Sequence, residues 1–277
     1  MRRRALLLAV LALSSATAAA CGGRGAVGQR GSTNTQPTVG ATGGQDDAAT
    51  NLGFPAFATK NTTRVGGSDA VANAAGVARA VFPGPSATTR PTAVALVDSR
   101  DWRIGVAAAV LASPPVHAPI LLSNGQDLPP ASRDALAALA PTGSKEAGNA
   151  QVIRVGDVAR PGGLRSADIG GANPFALARA IDAFAASAQG KESKHVVIAS
   201  ADDPGYAMPA AAWAAKAGDP VLFVHRDAIP PETRAALAAH RKPAIYVLGP
   251  PETISDAVVA ALGKLGTVTR VGSVRCV

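Results

Sequence analysis

Residues 118–139 read APILLSNGQDLPPASRDALAAL, and residues 219–240 read DPVLFVHRDAIPPETRAALAAH. The two stretches align without a gap at an offset of 101 residues, so the chain contains an internal duplication. In each copy a short apolar run precedes a pair of prolines and an alanine-rich segment. This order predicts a buried strand, a loop and a helix with a proline in its first turn, at Pro130 and at Pro231. The duplicated stretch is therefore a strand–helix unit of an α/β protein.

Apolar runs of strand length recur on both sides of the duplicated stretch and alternate with alanine-rich helical segments. The predicted strands are Thr92–Val97, Pro119–Ser123, Gln151–Val155, His195–Ala199, Val221–Val224 and Ala244–Leu248. A further helix, Glu252–Lys264, is predicted only near the end of the chain. Nearly continuous apolar strands separated by helices are typical of parallel sheets that are covered on both faces. We therefore expect an α/β fold of two tandem open three-layer units, each with a mainly parallel sheet flanked by helices.

The duplication extends upstream and restarts at the end of the chain. Val65-Gly66-Gly67 matches Ile169-Gly170-Gly171 at an offset of 104 residues, and Val271-Gly272 begins the same pattern a third time. The sequence therefore predicts a first repeat over residues 62–165. A second repeat is expected over residues 166–277, including the remnant start of a third.

The first twenty residues have the pattern of a secretory signal peptide. Met1–Arg4 is positively charged, Ala5–Leu13 is apolar, and small residues follow up to Cys21. Ala18-Ala19-Ala20-Cys21 resembles a bacterial lipobox, with Ala18 in the place where leucine is usual. That resemblance implies cleavage after residue 20 and lipid attachment at Cys21. The alternative is an ordinary secretory signal whose cleavage site happens to lie beside a cysteine.

Residues 21–61 consist mostly of Gly, Ser, Thr, Gln, Asn and Ala, without apolar periodicity. Such a composition buries too little surface to offset chain entropy, so it predicts a disordered tether. A random coil of this length reaches about 35 Å from its anchor. No later segment is long and apolar enough to cross a bilayer. We therefore expect a protein that a lipid holds at the cell membrane, facing the extracytoplasmic side and the cell wall.

The duplicated stretch is part of a longer ordered series of motifs. In the second repeat the series continues as Ile229-Pro230-Pro231, Val247-Leu248-Gly249 and Ser255–Val259. This series, present in duplicate over about residues 62–274, resembles the cell-wall-binding repeat type 2 family, whose members occur in tandem on surface proteins of Gram-positive bacteria. The resemblance implies open α/β units that attach proteins non-covalently to anionic wall polymers. It also implies that such chains commonly carry three repeats.

The chain departs from the family pattern at several positions. The family's Arg-x-x-Gly-x-Asp-Arg-Tyr segment stands here as Arg64–Val71 and as Asp168–Phe175, so the second Arg and the Tyr are missing from both repeats. The aromatic-x-Asp-Ala-Leu segment stands as Trp102–Val106 and Asp203–Ala207, without its Asp. There are two repeats here, where family chains commonly have three.

Candidate ligand-binding residues lie in the loops that follow the predicted strands, because parallel α/β sheets bind ligands beyond the carboxyl ends of their strands. Arginine there provides bidentate contacts to phosphate or carboxylate, and tryptophan provides an aromatic ring face. The candidates are Arg64, from the family segment, with Arg100, Asp101, Trp102, Arg103, Asn124, Asp202 and Arg226. A competing interpretation is that the acids and hydroxyls cap the following helices and that the tryptophan covers the edge of the core.

We expect neither catalysis nor a bound metal or cofactor. Ser200 with Asp202 and Asp203 suggests an acid/base pair, but adjacent loop residues point apart and no His or Glu stands at a recognisable spacing. The paired glycines lack the phosphate-binding patterns G-x-G-x-x-G and the P-loop lysine. Cys21 and Cys276 are the two cysteines of the chain, too few for a cysteine-rich metal site or a disulfide framework.

The charge and composition of the chain indicate which class of molecule the protein binds. The formal net charge of +8 includes three arginines in the signal peptide, and from residue 62 onward 21 basic residues face 17 acidic ones. A surplus of this size favours an anionic polymer and, with 4% aromatic residues, argues against nucleic acid. We expect an envelope protein that binds an anionic wall glycopolymer or scaffolds the envelope. The alternative is a solute-binding lipoprotein with a small molecule between two lobes, and self-association of the repeats is left open.

Overall fold

The computed structural model describes residues 56–58, 63–65, 67–84 and 86–272. All of them fall within one compact unit, Val39–Val277. The predicted signal peptide and Cys21, the predicted site of lipid attachment, lie outside the described residues. None of the helices in the described ranges is long and apolar enough to cross a membrane.

The described part begins with a two-stranded antiparallel sheet. Strand β1 (Ala56–Ala58) pairs with β2 (Thr63–Val65), with Ala56 opposite Val65. Strand β1 lies inside the segment that the composition predicts as a disordered tether, so regular structure begins before residue 61. A composition averaged over forty residues does not reveal a strand of three residues.

The first large sheet has four parallel strands in the order β4-β3-β5-β6. Its strands are β3 (Val94–Asp98), β4 (Ile120–Ser123), β5 (Val152–Val155) and β6 (Ser166–Ile169). Its helices are α1 (Ala70–Val81), α2 (Trp102–Ala108), continued by a 3-10 turn over Ala109–Ala112, and α3 (Pro130–Leu139). Short 3-10 turns also occur at Ala87–Thr89 and Lys145–Ala147.

The second large sheet repeats this arrangement, with four parallel strands in the order β8-β7-β9-β10. Its strands are β7 (His195–Ser200), β8 (Val221–Val224), β9 (Ala244–Leu248) and β10 (Thr267–Val271). Its helices are α4 (Pro174–Gln189), α5 (Pro204–Ala217), α6 (Pro231–Ala239) and α7 (Asp256–Leu262). The predicted α/β fold with two tandem units and parallel sheets is confirmed.

The two units correspond down to single hydrogen bonds. The buried hydroxyl of Ser132 donates to the carbonyl of Leu122 at 2.6 Å, and the buried hydroxyl of Thr233 donates to the carbonyl of Phe223 at 2.7 Å. Both bonds tie the first turn of a helix to the strand before it, at the offset of the duplicated stretch. The two copies of the duplicated sequence therefore pack their helix against their strand in the same way.

The last strand of each sheet comes from the start of the next repeat. Strand β6 opens the second repeat of the sequence, yet it pairs with β5 of the first sheet, with Ile153 opposite Ala167. Strand β10, which ends at Val271 where the sequence predicts the start of a third repeat, pairs in the same way with β9. The boundary predicted at residues 165/166 divides the sequence repeats, whereas the first sheet ends after Ile169.

Helix starts follow the side chains that cap them. Asp69 accepts a hydrogen bond from the backbone amide of Ala72 at 2.8 Å, and Asn173 accepts one from Ala176 at 2.8 Å. Helix α7 is shorter than the predicted Glu252–Lys264, because the chain turns through the residues before it and Ser255 caps the helix instead.

Two apolar layers hold the first sheet. Val94 and Leu96 point to a cluster formed with α1 and α3, whereas Ala95 and Val97 point to the opposite face. That second face belongs to a large core that continues into the second unit through α2 and α4. The two units therefore share one core, and this core fixes how the ends of their strands meet.

Candidate functional site

The loops at the carboxyl ends of the two central strands, β3 and β7, are in direct contact. A terminal nitrogen (Nη1) of Arg103, at the start of α2, donates to the backbone carbonyl of Ala201 at 3.3 Å. Beside it the Trp102 ring packs edge-on against Phe223 of β8, with 5.9 Å between ring centroids. The sequence places these residues in different repeats, and the shared core brings them together.

A second contact joins the loops after β6 and β8. Phe175 and His225 pack edge to face, with ring centroids 5.1 Å apart. The side-chain amide of Asn173 donates to the Glu232 carboxylate at 2.8 Å, and this hydrogen bond holds the pKa of Glu232 below its usual range. The strand ends of both units therefore form one continuous area, which we call the strand-end surface. It comprises residues 99–103, 124–127, 173–175, 201–203 and 225–227.

Arg100 is the most exposed cation on the first-unit side of the strand-end surface. Its guanidinium binds both carboxylate oxygens of Asp98, at 2.6 to 3.1 Å, and its side chain is still 59% exposed. The hydrogen bond from Arg100 lowers the pKa of Asp98 although burial opposes it, so the pair is ionised at neutral pH. Gly125 has a positive φ, and a Cβ there would lie 2.8 Å from the Arg100 guanidinium carbon. Glycine therefore leaves room for the guanidinium.

Arg226 is the corresponding exposed cation on the second-unit side. Its Nε donates to the carbonyl of Glu252 at 3.0 Å and its Nη1 to Asp227 at 3.1 Å, while the side chain is 61% exposed. Its backbone amide donates to Asp202 at 3.4 Å, and that carboxylate is also 2.9 Å from Nδ1 of His225. Asp202 therefore organises the loop that presents Arg226.

Arg103 and Asp101 form an ion pair with each other. Asp101 accepts from the backbone amide of Arg103 at 3.0 Å and so caps α2, and it also binds the Arg103 side chain at 2.9 and 3.2 Å. Together with the bond to Ala201, these contacts use all three guanidinium nitrogens of Arg103. The arrangement positions the two strand ends, and Arg100 and Arg226 are better placed to meet a ligand.

The remaining candidates lie at the edges of this area or beyond it. Asn124 is exposed and forms a tight backbone turn with Asp127, next to the glycine under Arg100. Arg64 lies in β2, and its side chain is outside the described part of the structure. Asp101, Trp102 and Arg103 are thus brought together with Asp202 and Arg226, and Arg100 with Asn124, in two adjoining groups.

Two residues of the strand-end surface, Asn173 and Phe175, were not predicted from the sequence to lie at the site, nor was Glu232 beside them. Asp98 and His225 belong to strand-end loops that the sequence does identify, because each lies at the end of an apolar strand. The contact between Phe175 and His225 depends on how the two units pack, which single-sequence patterns do not reveal.

One group of acidic and histidine side chains in the described residues is close enough to hold a metal ion: Asp182, Glu192 and His240. Nδ1 of His240 donates to the carbonyl of Ser193 at 2.8 Å, and Nε2 donates to Asp182 at 2.9 Å. Both ring nitrogens carry protons in this arrangement, so neither has a lone pair to offer a metal. Asp182 and His240 form a buried ion pair that ties α4 to the end of α6, and Glu192 is exposed beside them.

Comparison with known proteins finds one sequence-family model that matches part of the chain. Residues 168–259 match the sequence model of the family described as Cell wall binding domain 2 (CWB2), which confirms the resemblance for these residues. No curated protein sequence matches the chain.

Two solved structures share the fold. Cwp6 from Clostridium difficile has a TM-score of 0.62 and 19% identity, covering 78% of this chain and 36% of that one. Cwp8 from Clostridium difficile has a TM-score of 0.59 and 20% identity, covering 74% of this chain and 34% of that one. The chain thus spans about a third of the length of these relatives, and at these identities the likeness establishes the fold alone.

Proposed function

We propose that this chain, whose residues 168–259 match the cell wall binding domain 2 family, binds an anionic glycopolymer of the cell wall through its strand-end surface. The family match is the observation that carries the proposal. The surplus of basic residues from residue 62 onward is consistent with a polyanionic partner. Wall binding of this kind needs no catalysis, and we propose a non-enzymatic role at the cell surface.

The geometry of the strand-end surface supports this partner. Arg100 and Arg226 project from its two sides, and each keeps more than half of its side chain in solvent. Guanidinium groups bind phosphate and carboxylate oxygens in bidentate fashion, and an extended polymer can meet both cations at once. The Trp102 ring is partly buried against the shared core, with the Arg103 guanidinium 5.8 Å from its centroid, so it supports the surface from below.

The structure provides less support for a small solute held between two lobes. Within the described residues the chain passes from the first sheet to the second once, after β6. The two units are packed against each other at their junction through a continuous apolar core.

Removing both exposed cations is expected to weaken wall binding. We expect the chain from residue 21 onward, carrying Cys21→Ser, to co-sediment with purified cell walls. The added pair Arg100→Ala and Arg226→Ala should raise the apparent dissociation constant about tenfold, because each substitution removes a charge-assisted contact. Raising the salt concentration from 0.05 to about 0.5 M should release the unsubstituted protein, because exposed charges are screened.

A matched control separates the site from general charge. Lys191→Ala with Lys194→Ala removes the same charge from exposed positions before β7, at the opposite ends of the strands. This control should bind as the parent does, and equal loss in both double variants would exclude the strand-end surface as the site. Absence of co-sedimentation at both low and physiological salt would exclude wall binding altogether.

We further propose that Cys21 is lipid-modified and holds the protein at the membrane. The lipobox-like residues before Cys21 support this proposal. Replacing Cys21 with serine in the native host is expected to move most of the protein from the membrane fraction to the wall fraction or the culture medium. Cell fractionation with immunoblotting measures this shift, and the matched substitution Ser15→Ala should leave the protein at the membrane. An unchanged distribution of the Cys21→Ser protein would contradict lipid anchoring.

A further inference from the structure

The amino ends of the strands in the second sheet carry an array of exposed basic side chains. Four segments lead into these strands, and we call them together the amino-end edge. They comprise residues 190–194, 216–220, 240–243 and 263–266. Because the four strands are parallel and adjacent, their first residues lie side by side within roughly 15 Å. The exposed basic residues of this edge are Lys191, Lys194, Lys216, Arg241, Lys242 and Lys264.

The positive charge of the chain is concentrated at this edge. Its four segments contain six basic residues and two acidic ones, Glu192 and Asp219. Their surplus of four equals that of the whole chain from residue 62 onward. Asp219 is 6% exposed, and it accepts hydrogen bonds from the Ser193 hydroxyl at 2.7 Å and from the Trp213 indole at 2.9 Å. Glu192 is therefore the exposed acid among these segments.

The basic side chains of the amino-end edge are unpaired. None of the six forms a hydrogen bond or an ion pair with another residue of the described ranges. The exposed arginines of the strand-end surface are instead held by neighbours, as Arg100 is by Asp98. Five of the six cations are lysines, whose ammonium groups act as hydrated point charges on flexible stems. Such groups are suited to diffuse attraction toward a negatively charged surface.

The fold itself does not require these cations. Arg241 and Lys242 form the turn before β9, and their φ angles are left-handed at 53° and 66°. At the offset of the duplicated stretch the first unit has Ala140, also left-handed at 42°, followed by Pro141. Asparagine or glycine adopts this backbone at lower cost. The two units thus share the left-handed turn, and the local conformation does not explain the charge that the second unit adds to it.

The array extends over an area, which favours a surface as its partner over a single polymer chain. The sheet order places β8 and β10 at opposite edges, so right-handed connections put α5 and α7 on opposite faces of the sheet. Lys216 lies in the last turn of α5, and Lys264 lies two residues beyond α7. The cations therefore spread across the thickness of the second unit as well as along its row of strand starts.

We propose that the amino-end edge binds the anionic headgroups of a phospholipid bilayer. Clusters of four to eight lysines and arginines bind such surfaces, because each cation near the headgroups adds to the attraction. Arg226 lies at the opposite ends of the same parallel strands, so it faces away from a bilayer on which this edge rests. The proposal depends neither on wall binding nor on a lipid at Cys21.

The test measures co-sedimentation with phospholipid vesicles of the chain from residue 21 onward, carrying Cys21→Ser and therefore no lipid. At a salt concentration of about 0.05 M we expect binding to mixed vesicles of phosphatidylglycerol and phosphatidylcholine. Vesicles of phosphatidylcholine alone should bind little. Arg241→Asn with Lys242→Asn should lower the partition coefficient at least about tenfold, because two cations leave the charged surface. Asparagine tolerates left-handed backbone, so this variant should melt at the same temperature as the parent.

Two further variants separate this edge from general charge and from misfolding. Lys191→Ala with Lys194→Ala lies outside the left-handed turn and should weaken vesicle binding to a similar degree. Arg133→Gln with Arg234→Gln is the matched control, because these exposed arginines occupy corresponding positions near the starts of α3 and α6, at the other ends of the strands. This control removes the same charge and should bind vesicles as the parent does.

Three results would overturn the proposal: no binding to the phosphatidylglycerol vesicles, equal binding to both kinds of vesicle, or equal loss in the control. Purified cell walls contain no bilayer, so the variant with Arg241→Asn and Lys242→Asn should keep its wall binding. If that variant lost wall binding while the parent ignored vesicles, the edge would bind a wall polymer, and the proposal would be wrong. Failure of the parent to bind walls would leave the vesicle result unaffected.

Discussion

Replacing Ile181 with alanine is expected to lower the free energy of unfolding by about 2–5 kcal/mol, whereas Val77→Ala should change it by less than about 0.5 kcal/mol. The two positions correspond in the duplicated units, yet Ile181 is 1% exposed between the units and Val77 is 55% exposed on α1. Truncating Ile181 removes buried methyl groups and leaves a cavity in the shared core. Truncating Val77 shortens a side chain that is already more than half exposed to solvent.

Urea denaturation of both variants at dilute protein concentration measures this difference. Circular dichroism of the folded baselines should be the same for both variants and the parent. Equal losses at the two positions would mean that the unit junction contributes little to stability, in conflict with the shared core described above.

Breaking the buried ion pair between Asp182 and His240 should have an equally large effect. Asp182→Ala is expected to cost about 3–5 kcal/mol, because it leaves a buried imidazolium without its counter-charge. The Asp182 and His240 side chains are 7% and 0% exposed, and their hydrogen bond is 2.9 Å long. Asp134→Ala removes an exposed carboxylate from α3 and should change stability by less than about 0.5 kcal/mol.

The same pair gives the protein a defined response to pH. Burial by itself lowers the pKa of His240, but the hydrogen bond and charge of Asp182, helped by the Ser193 carbonyl, outweigh it and raise the pKa above its ordinary value. The folded protein therefore holds this proton more tightly than the unfolded chain does. Its contribution to stability is complete below about pH 6.5 and is lost as the pH rises through the raised pKa.

Unfolding free energies measured from about pH 6 to pH 9 test this response. The parent should lose stability as the pH rises above the ordinary histidine range. His240→Gln, which keeps a hydrogen-bond donor but cannot carry the charge, should lose most of that slope. A His240→Gln protein with an unchanged slope would assign the pH dependence to another group.

The sequence predicted best those elements whose own residues are buried on both faces. The apolar runs at residues 221–224 and 244–248 have the bounds of β8 and β9. Strand β6 was not predicted, because it lies at a sheet edge with only Ile169 buried. Its residues carry little apolar pattern, and its place in the first sheet depends on a partner strand in the previous repeat.

The candidate site, like the fold, was predicted where the residues of a single repeat determine the structure and was missed where the two repeats meet. The predicted parallel topology indicated that the loops after the strands carry the exposed arginines. Arg100 and Arg226 do lie there. The sequence did not predict that hydrogen bonds to Asp101 and Ala201 occupy the Arg103 guanidinium, because Ala201 belongs to the other unit. The sequence gives the order of motifs along each repeat, whereas the contacts between repeats arise from the shared core.

The strand that each repeat gives to its predecessor has a consequence for how such chains can grow or shrink during evolution. If a whole repeat were inserted at a repeat boundary, the next repeat along the chain would already encode the outermost strand of the inserted sheet. Such an insertion leaves no sheet without its last strand. Residues 267–271 supply this outermost strand to the second sheet, where they pair in parallel with β9.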